Sequence, residues 1–372
     1  MRLPRPLPLK RWLRLGTAWR RILFAMAAAA VLTPAAAQVG MTQIQSEGLS
    51  VTLVYPTLLA ATPQAIGPFP VVVALDSPPA PRNDGGTGRR SLIVLSHGTG
   101  GSPLADHQLA ATLARAGFVV AQPLHQGDNH LDSSRAGPDA WQSRPREITR
   151  TLDALAAHPQ WNRLLDVDRV GVHGMSAGGA TALTMAGAGW RVLDLVNHCQ
   201  AHLDDDPGFC FNGLPDPQRQ NERRASFERA RGVPESYLPA SLTTVNGAGP
   251  GSRPDARVVA VTVSVPVAAL FSEASLQGIR VPVGVISAGR DTMLLPRFHS
   301  DRLLRHCGAC EPIAHLAGAG HMDLLGPWPA ALALAAAAQQ ARGGMPEPGF
   351  DGELRQKAFD RVAVFYQRQL RP

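Results

Sequence analysis

No acidic side chain occurs in the first 37 residues of this 372-residue chain, whereas seven basic ones do: Arg2, Arg5, Lys10, Arg11, Arg14, Arg20 and Arg21. They precede an apolar run over 22–32 and the small residues Ala35, Ala36 and Ala37. That run is far shorter than the roughly 20 residues a helix needs to cross a bilayer, which argues against a stable membrane anchor. The pattern instead reads as a secretory signal peptide over 1–37, sent to the periplasm or medium by the general secretory route rather than the twin-arginine one.

Beyond the leader the chain also lacks net charge. Removing seven bases from the 36 Lys and Arg leaves 29, against 29 Asp and Glu. The formal +7 therefore belongs to the leader, and the sequence pI of about 9.9 gives no reason to expect a nucleic-acid or anionic-membrane partner. Aromatic residues make up only 5%, so the core must be assembled from Ala, Val, Leu and Gly. No repeat of solenoid period is present. The 335 residues of 38–372 suffice for one large domain with an insertion.

Cysteine is scarce too, with four residues, Cys199, Cys210, Cys307 and Cys310. An even number in an oxidising compartment implies disulfides, and of three possible pairings proximity favours Cys199 with Cys210 and Cys307 with Cys310. A zinc site built on Cys307 and Cys310 with His306 or His315 lacks a second well-spaced ligand pair, so no metal is expected. The acidic triplet Asp204, Asp205 and Asp206 has no calcium-loop spacing and reads as solvated surface.

What is present is an alternation of short β-rich runs with helical stretches. Residues 49–55, 71–75, 92–95, 118–121, 169–173, 258–265, 281–286 and 312–316 read as strands. Helices are expected over 104–116, 146–157, 179–188, 297–307 and 353–370, and exposed loops over 77–90 and 123–144. Several strands are apolar throughout, as strands covered on both faces are, so the fold class is α/β with a mostly parallel sheet. The period breaks over 190–257, an irregular insertion placed where it could cap the sheet's carboxyl edge.

The strand at 169–173 runs into Gly174-Met175-Ser176-Ala177-Gly178 and then a small-residue helix. That strand, turn and helix are the setting in which Gly-x-Ser-x-Gly presents a nucleophilic serine, because the tight turn leaves no room for side chains at its glycines. Asp291 follows the strand at 281–286, and His321 follows the strand at 312–316. Ser176, Asp291 and His321 thus fall in the order Ser, Asp, His, each past the carboxyl end of a strand, where open α/β sheets build their sites. A serine hydroxyl needs a neighbouring base to remove its proton, and that base needs a carboxylate to orient it. The oxyanion needs fixed donors; the N–H of Ala177 is one, and Thr99, in His97-Gly98-Thr99-Gly100-Gly101, offers the second. His97 and His125 are expected to be structural, His173 to lie in the core, Asp323 to point away from His321, and Trp141 and Trp190 to pack or to line an acyl pocket.

His97-Gly98-Thr99-Gly100, the 174–178 turn, Gly289-Arg290-Asp291 and Gly320-His321 together resemble the α/β-hydrolase superfamily, over about residues 51–334. Within it, Ser96 to Gly101, the run 117–121 leading to His125, and Arg144-Pro145-Arg146-Glu147-Ile148 resemble exported bacterial proteins related to dienelactone hydrolases and plasma-type platelet-activating-factor acetylhydrolases. The resemblance implies hydrolysis of short-acyl carboxylic esters, small-molecule substrates, with no metal or other cofactor. This chain departs from it in having Ser176 where dienelactone hydrolases have cysteine, and no Asp in Ser264-Val265-Pro266-Val267, where the acetylhydrolases take their acid. The alternatives are a lactonase or peptidase on the same three residues, or a catalytically silent binding protein. Nothing in the sequence fixes the oligomeric state.

Overall fold

In the computed structural model the described residues are 38–46, 48–81, 88–213, 216–229, 231–247, 255–338 and 345–370, so the signal-peptide expectation for 1–37 lies outside them. Ten strands form one sheet: β1 (Gln38–Ser46), β2 (Leu49–Thr57), β3 (Thr62–Ile66), β4 (Phe69–Leu75), β5 (Arg90–Ser96), β6 (Val119–Pro123), β7 (Leu165–Met175), β8 (Val258–Ser264), β9 (Val283–Ala288) and β10 (Cys310–Leu316). Their spatial order is β10-β9-β8-β7-β5-β6-β2-β1-β4-β3. From β10 to β6 every neighbouring pair is parallel, while β2 joins both β6 and β1 antiparallel.

The apolar runs explain the layering. Along β5, Leu92 and Val94 face one core and Ile93 and Leu95 the other, since successive strand side chains point to opposite faces. The first face is covered by α2 (Pro138–Ala157) through Ile148, Leu152 and Leu155, and by α3 (Ala177–Met185) through Ala180 and Leu183. The second is covered by α1 (His107–Arg115) through Leu109 and Leu113. The loop expected over 123–144 is shorter than that, because α2 starts at Pro138 and continues through Pro145. Proline lacks the N–H that a helix interior uses, but Pro138 sits in the first turn, where no intrahelical acceptor is needed.

The insertion after β7 contains α4 (Val192–His202), a single turn at Pro207–Cys210 and α5 (Pro217–Glu228). Its base is closed where Trp190 and Asn246 exchange backbone hydrogen bonds of 3.0 and 2.7 Å. Disulfides join Cys199 to Cys210 within it, and Cys307 to Cys310 between α6 (Ser300–His306) and β10. The acidic triplet is not uniformly solvated. Asp204 and Asp205 are exposed, but Asp206 is fully buried, its Oδ2 accepting from Nε2 of His198 (2.9 Å) and of His299 (3.2 Å).

Near the chain's end, past α7 (Ala330–Ala338), comes α8 (Gly352–Leu370), which packs on the second face of the sheet. Tyr366, fully buried, donates to the Val172 carbonyl of β7 at 2.8 Å. Its oxygen lies 2.8 Å from Thr262 Oγ1, which is also 2.8 Å from His173 Nδ1. The donors follow from one another, so His173 gives to Thr262, Thr262 to Tyr366, and Tyr366 to β7. Replacing Tyr366 with Phe interrupts this chain in a site that water cannot enter, and is expected to destabilise the fold by about 1–3 kcal/mol. Denaturant unfolding of Tyr366→Phe measures it; a loss below about 0.5 kcal/mol would mean that the Tyr366 hydroxyl adds nothing appreciable to the hold on α8.

Candidate active site

Ser176 stands alone between the end of β7 and the start of α3, with φ 57° and ψ −118°. A non-glycine residue with positive φ is strained, and it persists only where its surroundings hold it. Three backbone bonds do so here: Ser176 N–H donates to Ser264 O at 3.0 Å, and Ser176 O accepts from Gly179 N (2.9 Å) and Val267 N (3.0 Å). The glycines are required by contact. A Cβ on Gly174 would strike the backbone of Gly178, and one on Gly178 the backbone of Ser96.

Asp291 lies just beyond β9 and is almost wholly buried. Its Oδ1 accepts from the N–H groups of Met293 (2.9 Å) and Leu294 (2.8 Å), which leaves Oδ2 to accept from His321 Nδ1 at 2.7 Å. On the other side of the ring, His321 Nε2 is 3.0 Å from Ser176 Oγ. With the carboxylate accepting from Nδ1–H, the lone pair on Nε2 faces the serine hydroxyl. The loops bearing Asp291 and His321 run side by side, tied by Gly289 N to Leu316 O (2.9 Å) and Arg290 N to Ala319 O (2.8 Å). The structure thus brings together the three residues that the sequence set 115 and 30 positions apart. Asp323 does not touch the imidazole; its Oδ2 accepts from Gly320 N (2.8 Å) and Glu347 N (3.0 Å).

Ala177 is the first residue of α3, so its N–H has no partner within the helix and is available beside Ser176. The 97–101 loop passes against the same serine. A Cβ on Gly98 would come within 3.5 Å of Ser176 Cβ and 3.3 Å of Met175 Sδ. His97 donates through Nδ1 to Gly98 O (2.8 Å) and accepts at Nε2 from His125 N (3.2 Å). His125 in turn bridges Ser96 Oγ (2.8 Å) and Glu147 Oε2 (2.7 Å). Neither histidine approaches Ser176 as His321 does.

Two buried charges in this region had no signal in the sequence. Arg144 appeared there only inside a motif, and Asp128 not at all, yet both are fully buried and paired at 2.7 Å. Trp141 and Trp190 meet edge-to-face, ring centroids 5.9 Å apart, in the core under α2 and α3. A cavity of about 660 Å³ lies beside the 97–101 loop. Gly100, Gly101, Ile66, Phe69, Leu75 and Trp328 are among its walls, and Ser176 is not. Among the described residues, no three or more His, Cys, Asp or Glu side chains gather as they would around a metal ion.

No protein-family model matches the chain, and no curated protein is similar to it in sequence. Among solved structures it is similar to a ferulic acid esterase from Streptomyces cinnamoneus, with a TM-score of 0.55 and 18% identity over 92% of this chain and 93% of that one. The likeness is one of fold. The mostly parallel ten-stranded sheet, with helices on both faces, is an α/β-hydrolase fold.

Burial keeps several imidazoles neutral. It lowers the pKa of His97, aided by nearby His125, as well as those of His125 and His299, and pushes His173 down to about 3. Below about pH 6.5 the unfolded chain protonates a histidine that the folded chain cannot. Stability from His173 is therefore complete above that pH and lost progressively as pH falls towards 3. Asp106, raised by burial to about 7, acts in the opposite direction over the same range, so the His173 share must be read by difference. Between about pH 7.5 and 5.5, His173→Asn is expected to lose on the order of 1 kcal/mol less unfolding free energy than the parent. Equal pH slopes in the two proteins would contradict this.

Proposed function

We propose that the chain is an exported serine hydrolase that cleaves carboxylic esters through an acyl-enzyme. The observation that carries this reading is the continuous contact from Asp291 Oδ2 through His321 to Ser176 Oγ, at 2.7 and 3.0 Å, on a serine held in strained backbone geometry. In this reading Ser176 Oγ attacks the ester carbonyl as its proton passes to His321 Nε2. The N–H groups of Ala177 and Thr99 receive the oxyanion, and Asp291 stabilises the imidazolium. Collapse of the tetrahedral intermediate breaks the ester C–O bond, and the alcohol leaves with the proton from His321. Water, activated by the same imidazole, then releases the acid and restores Ser176.

Export is supported by the basic, apolar leader and by two disulfides, which persist in oxidising compartments. The insertion over 190–257 is part of the proposal as a cap: its Gly208 lies against the carbonyls of Thr292 and Met293, next to Asp291. The resemblance to dienelactone hydrolases and platelet-activating-factor acetylhydrolases favours short acyl groups. Esters of bulkier aryl acids are the second reading, favoured by the fold shared with a ferulic acid esterase.

The test is hydrolysis of chromogenic esters from acetyl to dodecanoyl, with a feruloyl ester and a matched amide alongside, by residues 38–372 and by Ser176→Ala. The expected result is ester cleavage that falls by at least about 10³-fold in the variant. A steep decline beyond butyryl supports the short-acyl reading, and a preference for the feruloyl ester supports the aryl one. Amide cleavage at comparable rates would turn the assignment towards a peptidase, and the absence of any Ser176-dependent rate would overturn it.

A further inference from the structure

The segment 97–101 has to hold an N–H in place for a developing anion, yet it lies past the end of β5 and contains three glycines, one of them, Gly100, at φ 63°. Its backbone is held from within, where Gly98 O accepts from His97 Nδ1 (2.8 Å) and Gly101 N (3.1 Å), and it is fixed from outside as well. Arg144, on α2, donates through Nη1 to His97 O at 2.6 Å and through Nη2 to Gly98 O at 3.3 Å. The same Nη2 reaches Asp128 O (3.2 Å) and Asp128 Oδ2 (2.7 Å), and Asp128 Oδ1 accepts from Gly100 N at 2.8 Å. The two peptide units that flank Thr99 are thereby pinned, one by its carbonyl and the other by its N–H. In a trans peptide the carbonyl and the following N–H point in opposite directions. Holding Gly98 O on Arg144 therefore turns the Thr99 N–H away from the guanidinium, in a loop that lies against Ser176.

Stability alone does not account for this pair. Both side chains are fully buried and Arg144 Nε has no partner among the described residues, so a full desolvation cost is borne with one donor unsatisfied. Buried ion pairs of this kind are commonly matched or exceeded in stability by apolar replacements of similar volume. What an apolar pair cannot supply is a directional hold on three backbone groups.

We propose that Arg144 and Asp128 are positioning residues that preset the Thr99 N–H as an oxyanion donor; the proposal rests on the serine-esterase reading of Ser176, Asp291 and His321. Because the donor matters most when charge develops, losing its alignment lowers turnover more than substrate binding. The experiment compares the parent with Arg144→Lys, Asp128→Asn and the double variant Arg144→Met/Asp128→Leu, on 4-nitrophenyl butyrate, with a melting curve for each. The expected result is a kcat lower by about 10²–10³-fold with KM within about twofold, the range seen when one oxyanion donor is removed. The double variant keeps the parent's melting temperature or exceeds it, which separates alignment from folding. Addition of guanidinium at tens of millimolar to Arg144→Ala recovers at least tenfold in kcat. An unchanged kcat, a raised KM with kcat intact, or a rate loss that follows the unfolded fraction would each overturn the proposal. Those results leave the esterase reading standing; a parent with no Ser176-dependent hydrolysis overturns both.

Discussion

The close passage of backbone against backbone at the end of β7 is the constraint on which the site depends. Gly178 lies so near the carbonyl of Ser96 that no side chain fits between α3 and β5. That contact brings the serine turn alongside the segment that begins at His97. It also forces the turn to close in a single residue, which is why Ser176 carries a positive φ. The strain of such a residue, of order 1–3 kcal/mol, is offset by the three backbone bonds and by burial of α3 in the core.

The parallel sheet supplies the remaining geometry. β5, β7 and β9 all point their carboxyl ends towards one edge, so loops far apart in the chain start from neighbouring positions. His321, after β10, approaches Ser176, after β7, because its loop is tied to the Asp291 loop by two backbone bonds. Asp323 adds a third hold, fixing the backbone just before His321 through Gly320 N. A carboxylate two residues from an imidazole thus serves its loop, while one thirty residues away serves its ring.

The layout was legible in the sequence where local pattern and tertiary role coincide. Ser176, Asp291 and His321 each follow an apolar run and sit among glycines, so periodicity and turn chemistry located them together. β1 and β3 were harder to read, because Gln38–Ser46 and the edge strand Thr62–Ile66 alternate or lose the apolar signal that two-sided burial imposes. The start of α2 was hidden by Pro138 and Pro145, the first of which sits in the opening turn. Asp128 and Arg144 were invisible as a pair, since an ion pair sixteen positions apart has no period. Asp206 shows the same limit: three identical residues in a row carry no mark of which one the fold will bury.

Asp206 also shows how the insertion is joined to the site. Burial pushes its carboxyl up, but the hydrogen bonds from His198 and His299 outweigh that and hold it below the usual carboxylate range. His299 accepts at Nδ1 from Ala268 N at 3.1 Å, so its proton resides on Nε2 and points at Asp206. One carboxylate of the insertion is therefore bonded to a ring whose other nitrogen is bonded to the strand β8 connection. Arg297 adds a bond to Asp205 O at 2.7 Å. The insertion is fastened on the side of Asp291, whereas the 660 Å³ cavity is walled by Gly100 and Gly101 together with β1 and β4. The residues that align His321 are thus not among those that line the cavity. A change in β1 or the β3–β4 turn can alter the cavity without disturbing the contacts that align His321, which makes that flank the one free to vary in size and polarity.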